Sequence, residues 1–248
     1  MFNAITVFYD DEVGSQLVEP TRPPAPVFPT TPILDSFNRA NEDPVANGWL
    51  GPILPTFNTM KVVGSALQQS MILGKSGNSY WAVSNFGPGS ECYVTFSTVW
   101  NNTSSSFWLY SCGRNENTGT QGGYQLFLSM SSGVWVWQIY RMDLTNSVQL
   151  GADLGTQAIG DGDSIGLAVA ADGTIQAWYK ATGSSWATLG STRTDTTYTS
   201  GHIGVAKGFL DTTSILDDFG GGTSVASTGF FLDDMADIAR FLRKPELW

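Results

Sequence analysis

The chain has 248 residues, of which 42% are hydrophobic and only 14% are charged, and its formal net charge is −10. This charge argues against nucleic-acid binding, because a phosphate backbone would be repelled. No apolar run reaches membrane-spanning length, and Asp10, Asp11 and Glu12 follow the start too closely for a secretory signal, so we expect cytoplasmic synthesis without membrane insertion.

The composition is typical of strands joined by turns. The chain contains 28 glycines and nine tryptophans, and helix-forming segments are scarce before its end. One all-β sandwich can contain ~200–250 residues, so a single domain with two tails accounts for the length. We expect an extended Pro-rich arm at 1–31, a sandwich at 32–222, and a Gly/Ser linker with a short amphipathic helix at 223–248.

The N-terminal arm combines prolines with apolar side chains. Six prolines between Pro20 and Pro32 enforce an extended backbone. The arm is either a disordered leader or a segment that lies on a neighbouring subunit. Its apolar residues favour the second interpretation, because a solvated tail would not need them. The predicted docking residues of the arm are Phe2, Ile5, Phe8, Val27 and Phe28.

Two similar pentapeptides mark the ends of the predicted sandwich. Residues 33–37 read Ile-Leu-Asp-Ser-Phe, and residues 215–219 read Ile-Leu-Asp-Asp-Phe. Pro32 precedes the first and three glycines follow the second, so both are predicted to be short strands. Pairing of these two strands in one sheet would hide the first and last edges of the domain.

Three hairpins are predicted between these ends. Alternating apolar residues separated by turn residues pair the following segments: 92–98 with 107–112, 124–129 with 134–139, and 165–169 with 175–179. The first register places Cys92 opposite Cys112 and Phe96 opposite Trp108. We expect both thiols to be reduced and buried, because cytoplasmic synthesis disfavours a disulfide.

The second and third hairpins have their own predicted registers. In the second, Leu126 and Leu128 face Trp137 and Trp135. In the third, a three-residue turn with Gly173 in the left-handed conformation aligns three pairs of residues. Those pairs are Ile165 with Tyr179, Leu167 with Ala177, and Val169 with Ile175.

The last stretch of the chain has helical periodicity. Residues 230–243 carry acids in the first turn and basic residues in the last, which matches the helix dipole, and Pro245 follows. This helix either packs on its own sandwich or docks on another chain. Its predicted docking residues are Phe231, Met235, Ile238 and Leu242.

Several segments resemble one family of β-sandwiches. Residues 35–41 read Asp-Ser-Phe-Asn-Arg-Ala-Asn, and Asn47-Gly-Trp49 follows. The later segments 162–167, 171–175, 195–205 and 216–219 continue the pattern. Together they resemble concanavalin A-like lectin/glucanase (laminin-G-like) jelly rolls, which occur in tailed-phage and other bacterial proteins. The resemblance implies an all-β, two-sheet antiparallel jelly-roll sandwich with one concave sheet.

Glucanase activity is not expected from the acidic residues. Enzymes of this fold use two glutamates and an aspartate alternating along one strand, and retaining chemistry needs two carboxylates ~5 Å apart. The six glutamates of the chain include no such pair, and Glu91 begins a strand without a second acid. The single histidine, His202, is expected to be an edge or surface residue. We therefore predict a protein that is not an enzyme.

A metal site is considered at one turn. Asp161 and Asp163 flank Gly162 and could bind calcium, which needs several oxygen ligands in a compact loop. Ordinary turn chemistry accounts for the same residues, since Asp and Gly are common in turns. The prediction is no cofactor, with calcium at Asp161 and Asp163 as the alternative.

Aromatic residues outside the strands are candidates for sugar binding. Most tryptophans lie on predicted strands, where burial in the core is the default. Trp49, Trp100 and Trp186 lie nearer to loops, so these three are the candidates for an exposed platform on which a glycan could stack.

Three functions compete at this point. The first is a structural protein of a tailed-phage virion, in a capsid decoration or tail, that assembles in the host cytoplasm. Its partners would be capsid or tail subunits, in a homo-oligomer or multi-copy array. The second is an adhesin or receptor-binding module for a cell-surface glycan, and both roles can coexist. The third, a glycoside hydrolase, lacks its acid motif. The apolar tails favour the first.

Overall fold

Alternation of apolar and polar side chains builds a protein of strands and turns. In a computed structural model, the described residues are 27–52, 57–70, 75–99, 105–114, 122–143, 146–208, 211 and 213–224. The arm residues Phe2, Ile5 and Phe8, all four docking residues of the predicted C-terminal helix, and Trp100 lie outside these ranges. No helix among the described residues is long and apolar enough to cross a membrane.

The described part of the chain forms sixteen strands. In chain order they are β1 Ile33–Asp35, β2 Trp49–Leu50, β3 Met60–Val62, β4 Leu67–Gln69, β5 Gly77–Phe86, β6 Ser90–Thr98, β7 Ser106–Arg114, β8 Gly122–Ser131, β9 Val134–Asp143, β10 Asn146–Gln149, β11 Gly155–Thr156, β12 Ser164–Val169, β13 Thr174–Lys180, β14 Ala187–Thr194, β15 Gly201–Lys207 and β16 Ile215–Gly222.

The strands form two eight-stranded sheets whose strand pairs are all antiparallel. Sheet A has the order β14-β13-β12-β6-β16-β4-β3, with β1 also paired to β16. Sheet B has the order β10-β9-β8-β7-β15-β5-β2, with β11 also paired to β9. The predicted all-β sandwich of two antiparallel sheets is confirmed.

The two similar pentapeptides pair as predicted. β1 runs antiparallel to β16, with Ile33 beside Gly220 and Asp35 beside Phe219. Phe219 is buried and its ring lies 4.8 Å from that of Trp49. The start and the end of the sandwich are therefore joined in sheet A and anchored in the core.

The first predicted hairpin is wrong. β6 pairs with β12 and β16 in sheet A, whereas β7 pairs with β15 and β8 in sheet B. Phe96 therefore meets Phe107 across the core, with ring centroids 4.6 Å apart, instead of pairing with Trp108. Cys92 is a buried thiol that donates to the carbonyl oxygen of Tyr110 at 3.2 Å, and it does not lie opposite Cys112 in a hairpin. A run of apolar residues shows that a strand is buried but does not identify its partner.

The other two hairpins form. In β8–β9 the turn is tighter than predicted, so Leu126 pairs with Ile139 and Leu128 with Trp137. The predicted register was therefore wrong by two residues. In β12–β13 the predicted register is confirmed, with Leu167 beside Ala177. Gly173 in that turn has a φ of +84°, as the three-residue loop requires.

The core lies between the two sheets, and each sheet also has an outer face. Inward positions such as Trp137, Leu126 and Phe96 are fully buried. The registers place Trp108 of β7 and Trp178 of β13 on the opposite sides of their strands from the core. Large aromatic side chains therefore stand on the outer faces of both sheets.

Candidate functional site

An aromatic and amide-rich band crosses the outer face of sheet B. One row of neighbouring positions runs from Tyr80 past Gly204 to Tyr110, Gln125, Tyr140 and Gln149. A second row contains Trp108, Phe127 and Gln138. We call these rows the sheet B band. Its side chains share one face because strand residues at the same register point to the same side.

The rings of the sheet B band contact one another. Trp108 stacks on Phe127 with centroids 5.3 Å apart and an interplanar angle of 25°, and Phe127 meets Tyr140 edge-on at 5.9 Å. These three residues are partly exposed. Burial raises the pKa of Tyr110, so its hydroxyl keeps its proton even in alkaline solution. The partly exposed part of the band thus offers ring faces beside polar groups, whereas Tyr80 and Gln125 of the first row are buried.

Hydrogen bonds hold the amides of the band in place. Tyr140 Oη donates to Oε1 of Gln138 at 3.2 Å and to Oε1 of Gln149 at 3.4 Å. The Nε2 atoms of both glutamines donate to Asp153 Oδ1, at 2.7 and 2.9 Å. This network orients donors and acceptors at one end of the band before any ligand arrives.

The single histidine stands beside the other end of the band. Its ring lies 5.1 Å from that of Tyr80, and Nδ1 of His202 donates to the carbonyl oxygen of Ser84 at 3.0 Å. Neither contact supplies a nucleophile or a carboxylate, so the described geometry of His202 does not form a catalytic triad.

The predicted glycan platform is not one surface. Trp49 is only 3% exposed, and its Nε1 donates to Asp35 Oδ2 at 2.8 Å, so it is a core residue and cannot stack on a ligand. The loop-like sequence around Trp49 was misleading, because β2 is only two residues long and the Trp49 indole points into the core. Trp186 is partly exposed and lies on sheet A. Trp100 lies outside the described residues.

Two predicted docking residues of the arm are described, and they differ. Val27 is 72% exposed, so its docking role stays a prediction. Phe28 is buried against its own sheet A, where it stacks on Trp178 with centroids 4.9 Å apart. The expectation that Phe28 docks on another chain is therefore wrong for this structure. Aromatic partners within the same chain already cover its ring.

Glu91 has a structural role at the same place. Its Oε1 accepts hydrogen bonds from the backbone amides of Thr30 and Thr31, at 2.6 and 2.8 Å, and from both hydroxyls. Burial, together with the charges of Glu91 and Asp218, raises the pKa of Tyr93 to about 12, and the Tyr93 phenol donates a hydrogen bond to the Thr31 carbonyl. The first residues of the sandwich are thereby fastened across sheet A.

The two aspartates of the turn at 160–163 accept hydrogen bonds from groups of the protein itself. Both oxygens of Asp163 accept hydrogen bonds, from Gly160, Tyr179 and Thr182, and Asp161 accepts one from the Val99 amide. Burial raises the pKa of Asp163, but these hydrogen bonds outweigh it and the net pKa is lowered. The donor contacts do not fit a calcium ligand set. In the described parts of the chain, no three His, Cys, Asp or Glu residues cluster as a metal site would require.

Known structures with similar folds include lectins and carbohydrate-binding modules. The exoplasmic/lumenal domain of VIP36, in a form bound to Ca²⁺ and Man3GlcNAc, has a TM-score of 0.50, 10% identity, and coverage of 71% of this chain and 85% of that domain. A legume lectin-like domain from Entamoeba histolytica scores 0.47 with 10% identity, covering 67% and 87%. The module CBM66 from Bacillus subtilis scores 0.42 with 12% identity, covering 71% and 93%.

These comparisons concern the fold. Similarity to the VIP36 domain shows that the chain has a lectin-like sandwich fold. Other similar structures are glycoside hydrolases, of which this chain covers 34% and 40%. No protein-family model and no curated protein sequence matches the chain.

Sequence reasoning missed most of the outer-face residues. The predicted third hairpin already aligned Ala177 and Tyr179 inward, which places Trp178 outward by alternation. The run Phe107-Trp-Leu-Tyr110 is apolar on both faces, so Trp108 could have been recognised as an outer residue once Phe107 was placed in the core. The amides of the band carried no comparable signal.

Proposed function

We propose that this protein binds glycans through the sheet B band and does not act on them chemically. A pyranose has an apolar face that stacks on an aromatic ring and hydroxyls that need hydrogen-bond partners. Binding sites for such ligands combine aromatic walls with a few fixed polar groups. The observation that carries this proposal is the stack of Trp108 on Phe127 beside the network of Gln138, Tyr140 and Gln149.

The proposal of binding without catalysis rests on the contacts of the acidic residues. A glycosidase needs two carboxylates that face the bond to be cleaved. Glu91 is 2% exposed and accepts four hydrogen bonds, and Asp153, the acid beside the band, is occupied by two glutamine amides. This arrangement favours recognition over hydrolysis.

The virion role is a separate part of the proposal. A glycan-binding sandwich carried on a tailed-phage particle would combine the two functions expected from the sequence. Assembly in the host cytoplasm, docking on capsid or tail subunits, and multiple copies all stay predictions. They depend on terminal segments in which only Val27 and Phe28, of the predicted docking residues, are described.

Glycan binding is tested on the full-length chain with an array of immobilised oligosaccharides. We expect the wild type to bind at least one glycan class, and Trp108→Ala to weaken that binding by about tenfold or more, because hot-spot aromatics dominate such contacts. Tyr140→Phe should weaken it less, since the ring remains and one network hydroxyl is lost.

A matched control is Val148→Ala. Val148 is 41% exposed on β10, next to Gln149 but pointing to the other side of the strand. This variant should bind as the wild type does. Absence of binding to the whole array, or equal loss in Trp108→Ala and Val148→Ala, would refute the proposal. Thermal unfolding of each variant separates lost binding from lost folding.

A further inference from the structure

A ring-sized slot lies on the outer face of sheet A. A row of paired positions runs across four neighbouring strands and alternates small and aromatic residues: Gly220, Tyr93, Gly166 and Trp178. A Cβ atom on Gly166 would lie only 2.4 Å from the ring of Phe28. Glycine at 166 therefore leaves the space that a ring occupies between the two aromatic side chains.

The ring in this slot belongs to the chain itself. Phe28 lies flat on Trp178, with an interplanar angle of 5° and centroids 4.9 Å apart. Trp186 and Tyr93 meet the same ring edge-on, at 4.9 and 6.2 Å. The slot thus has a stacking floor and two aromatic walls.

Phe28 does not supply a hydrogen-bond acceptor for a buried donor of the slot. The Nε1 atom of Trp178 is buried, the residue being 6% exposed, and it has no hydrogen-bond partner among the described residues. A buried indole N–H normally finds an acceptor, and leaving it without one is unfavourable. A phenyl ring stacks but carries no acceptor atom. An occupant with a stacking face and an exocyclic hydroxyl that reaches past the edge of the indole would satisfy this group.

The segment that holds Phe28 in place can be displaced without dismantling the sheets. Residues 28–31, here called the strap, form no strand. The strap is fastened by the Thr30 and Thr31 contacts with Glu91 and by the Tyr93 hydroxyl, which donates to the Thr31 carbonyl at 3.1 Å. Pairing of β1 with β16 begins only at Ile33. Release of the strap would therefore open the slot and keep the sandwich closed.

From these observations we infer that the slot is a second sugar-binding site, specific for a single pyranose ring, which the strap closes with Phe28. The pyranose would stack on the face of Trp178, and an exocyclic hydroxyl that extends past the edge of the indole would accept a hydrogen bond from the in-plane Nε1–H. The site lies on the opposite sheet from the sheet B band, so it goes beyond the glycan-binding function proposed above and does not depend on it.

The experiment uses full-length protein with ¹⁵N-labelled indoles. Methyl α-mannopyranoside, methyl β-glucopyranoside and methyl β-galactopyranoside are each titrated into the wild type and Phe28→Ala. We expect at least one sugar to bind Phe28→Ala about tenfold or more tightly than the wild type, because the strap no longer competes for the slot. The Trp178 indole resonance, assigned by its loss in Trp178→Phe, should move downfield on binding.

Three double variants locate the binding. Phe28→Ala/Trp178→Phe keeps a stacking ring but removes the N–H, so affinity should fall by about fivefold. Phe28→Ala/Gly166→Ala narrows the slot and should abolish binding. Phe28→Ala/Trp108→Ala should bind like Phe28→Ala, since the sheet B band is not involved. Should only the Trp108 double variant lose binding, the slot inference fails and the proposed function stands.

Glu91→Gln provides a second route to the same test. It removes the charge that fastens the strap but leaves every ring of the slot, so it should bind the sugar with intermediate affinity. Thermal unfolding identifies any variant that does not fold, and the decision then rests on Glu91→Gln alone. An unmoved Trp178 resonance in the folded variants at about 10 mM of all three sugars overturns the inference.

Discussion

At the scale of single residues, Lys207 is a buried charge that the sandwich tolerates. It is fully buried on β15, its Nζ donates to the Ser214 carbonyl, and Asp211 Oδ1 lies 3.9 Å away. Burial lowers the pKa of Lys207 to about 8, although the Asp211 charge opposes this shift. The unfolded chain therefore binds more protons than the folded protein between pH 8 and the ordinary lysine pKa of 10.5.

This difference predicts a pH-dependent free energy of unfolding. The burial of charged Lys207 costs stability below pH 8, and that cost disappears as pH rises toward 10, for a gain of about 2–3 kcal/mol. The measurement is urea unfolding of the wild type and Lys207→Met at pH 7.5, 9 and 10. The free energy of unfolding should rise with pH in the wild type and not in Lys207→Met. An equal pH dependence in both proteins would show that Lys207 does not cause the rise.

At the scale of elements, one network fastens the segment between β14 and β15 to sheet B. Tyr124 of β8 donates to Asp195 Oδ1 at 2.7 Å, and Arg141 of β9 donates to Oδ2 at 2.8 Å. Tyr198 donates to Asp143, which also pairs with Arg141. The crossover from sheet A to sheet B is thereby held against the ends of two central strands.

Asp195 links this network to acid stability. Burial raises its pKa, but hydrogen bonds from Tyr124, Thr197 and Arg141 outweigh burial and lower the pKa to about 2. An acid with a depressed folded pKa contributes stability above its unfolded pKa and loses it as pH falls toward 2.

Asp195→Asn should therefore lower the free energy of unfolding at pH 7 by about 2 kcal/mol and much less at pH 2.5. Urea unfolding at both pH values measures this. Asp172→Asn serves as the control, because the Asp172 carboxylate contacts the Thr174 amide within its own exposed turn. A comparable loss at pH 7 in both variants would show that the crossover network is not responsible.

At the scale of the whole molecule, the contact between the sheets defines the sandwich. Phe96 of sheet A and Phe107 of sheet B are both fully buried and meet edge-on. Phe96→Ala should lower the free energy of unfolding by about 3–5 kcal/mol, because it leaves a cavity between the sheets. Val83→Ala, at a position 65% exposed, should change it by less than about 1 kcal/mol in the same urea titration. Similar losses of unfolding free energy in the two variants would show that the Phe96–Phe107 contact does not make a special contribution to the stability of the sandwich.

The sequence by itself determined the class of fold, the closure of β1 on β16 and the register of the β12–β13 hairpin. Each of these depends on local signals: period-two alternation, bounding prolines and glycines, and a turn whose Gly173 has positive φ. Such signals act over a few residues, so they can be recognised without knowing the rest of the molecule.

Only the tertiary structure decided which strands share a sheet and which aromatic residues face outward. The sequence placed β6 against β7 because they are adjacent and apolar, yet they lie in opposite sheets. For the same reason the sequence did not predict the sheet B band or the slot. Trp108 and Trp178 lie on predicted strands, so they were expected to be core residues. Burial of a strand residue depends on partners far away in the chain, and no local pattern specifies them.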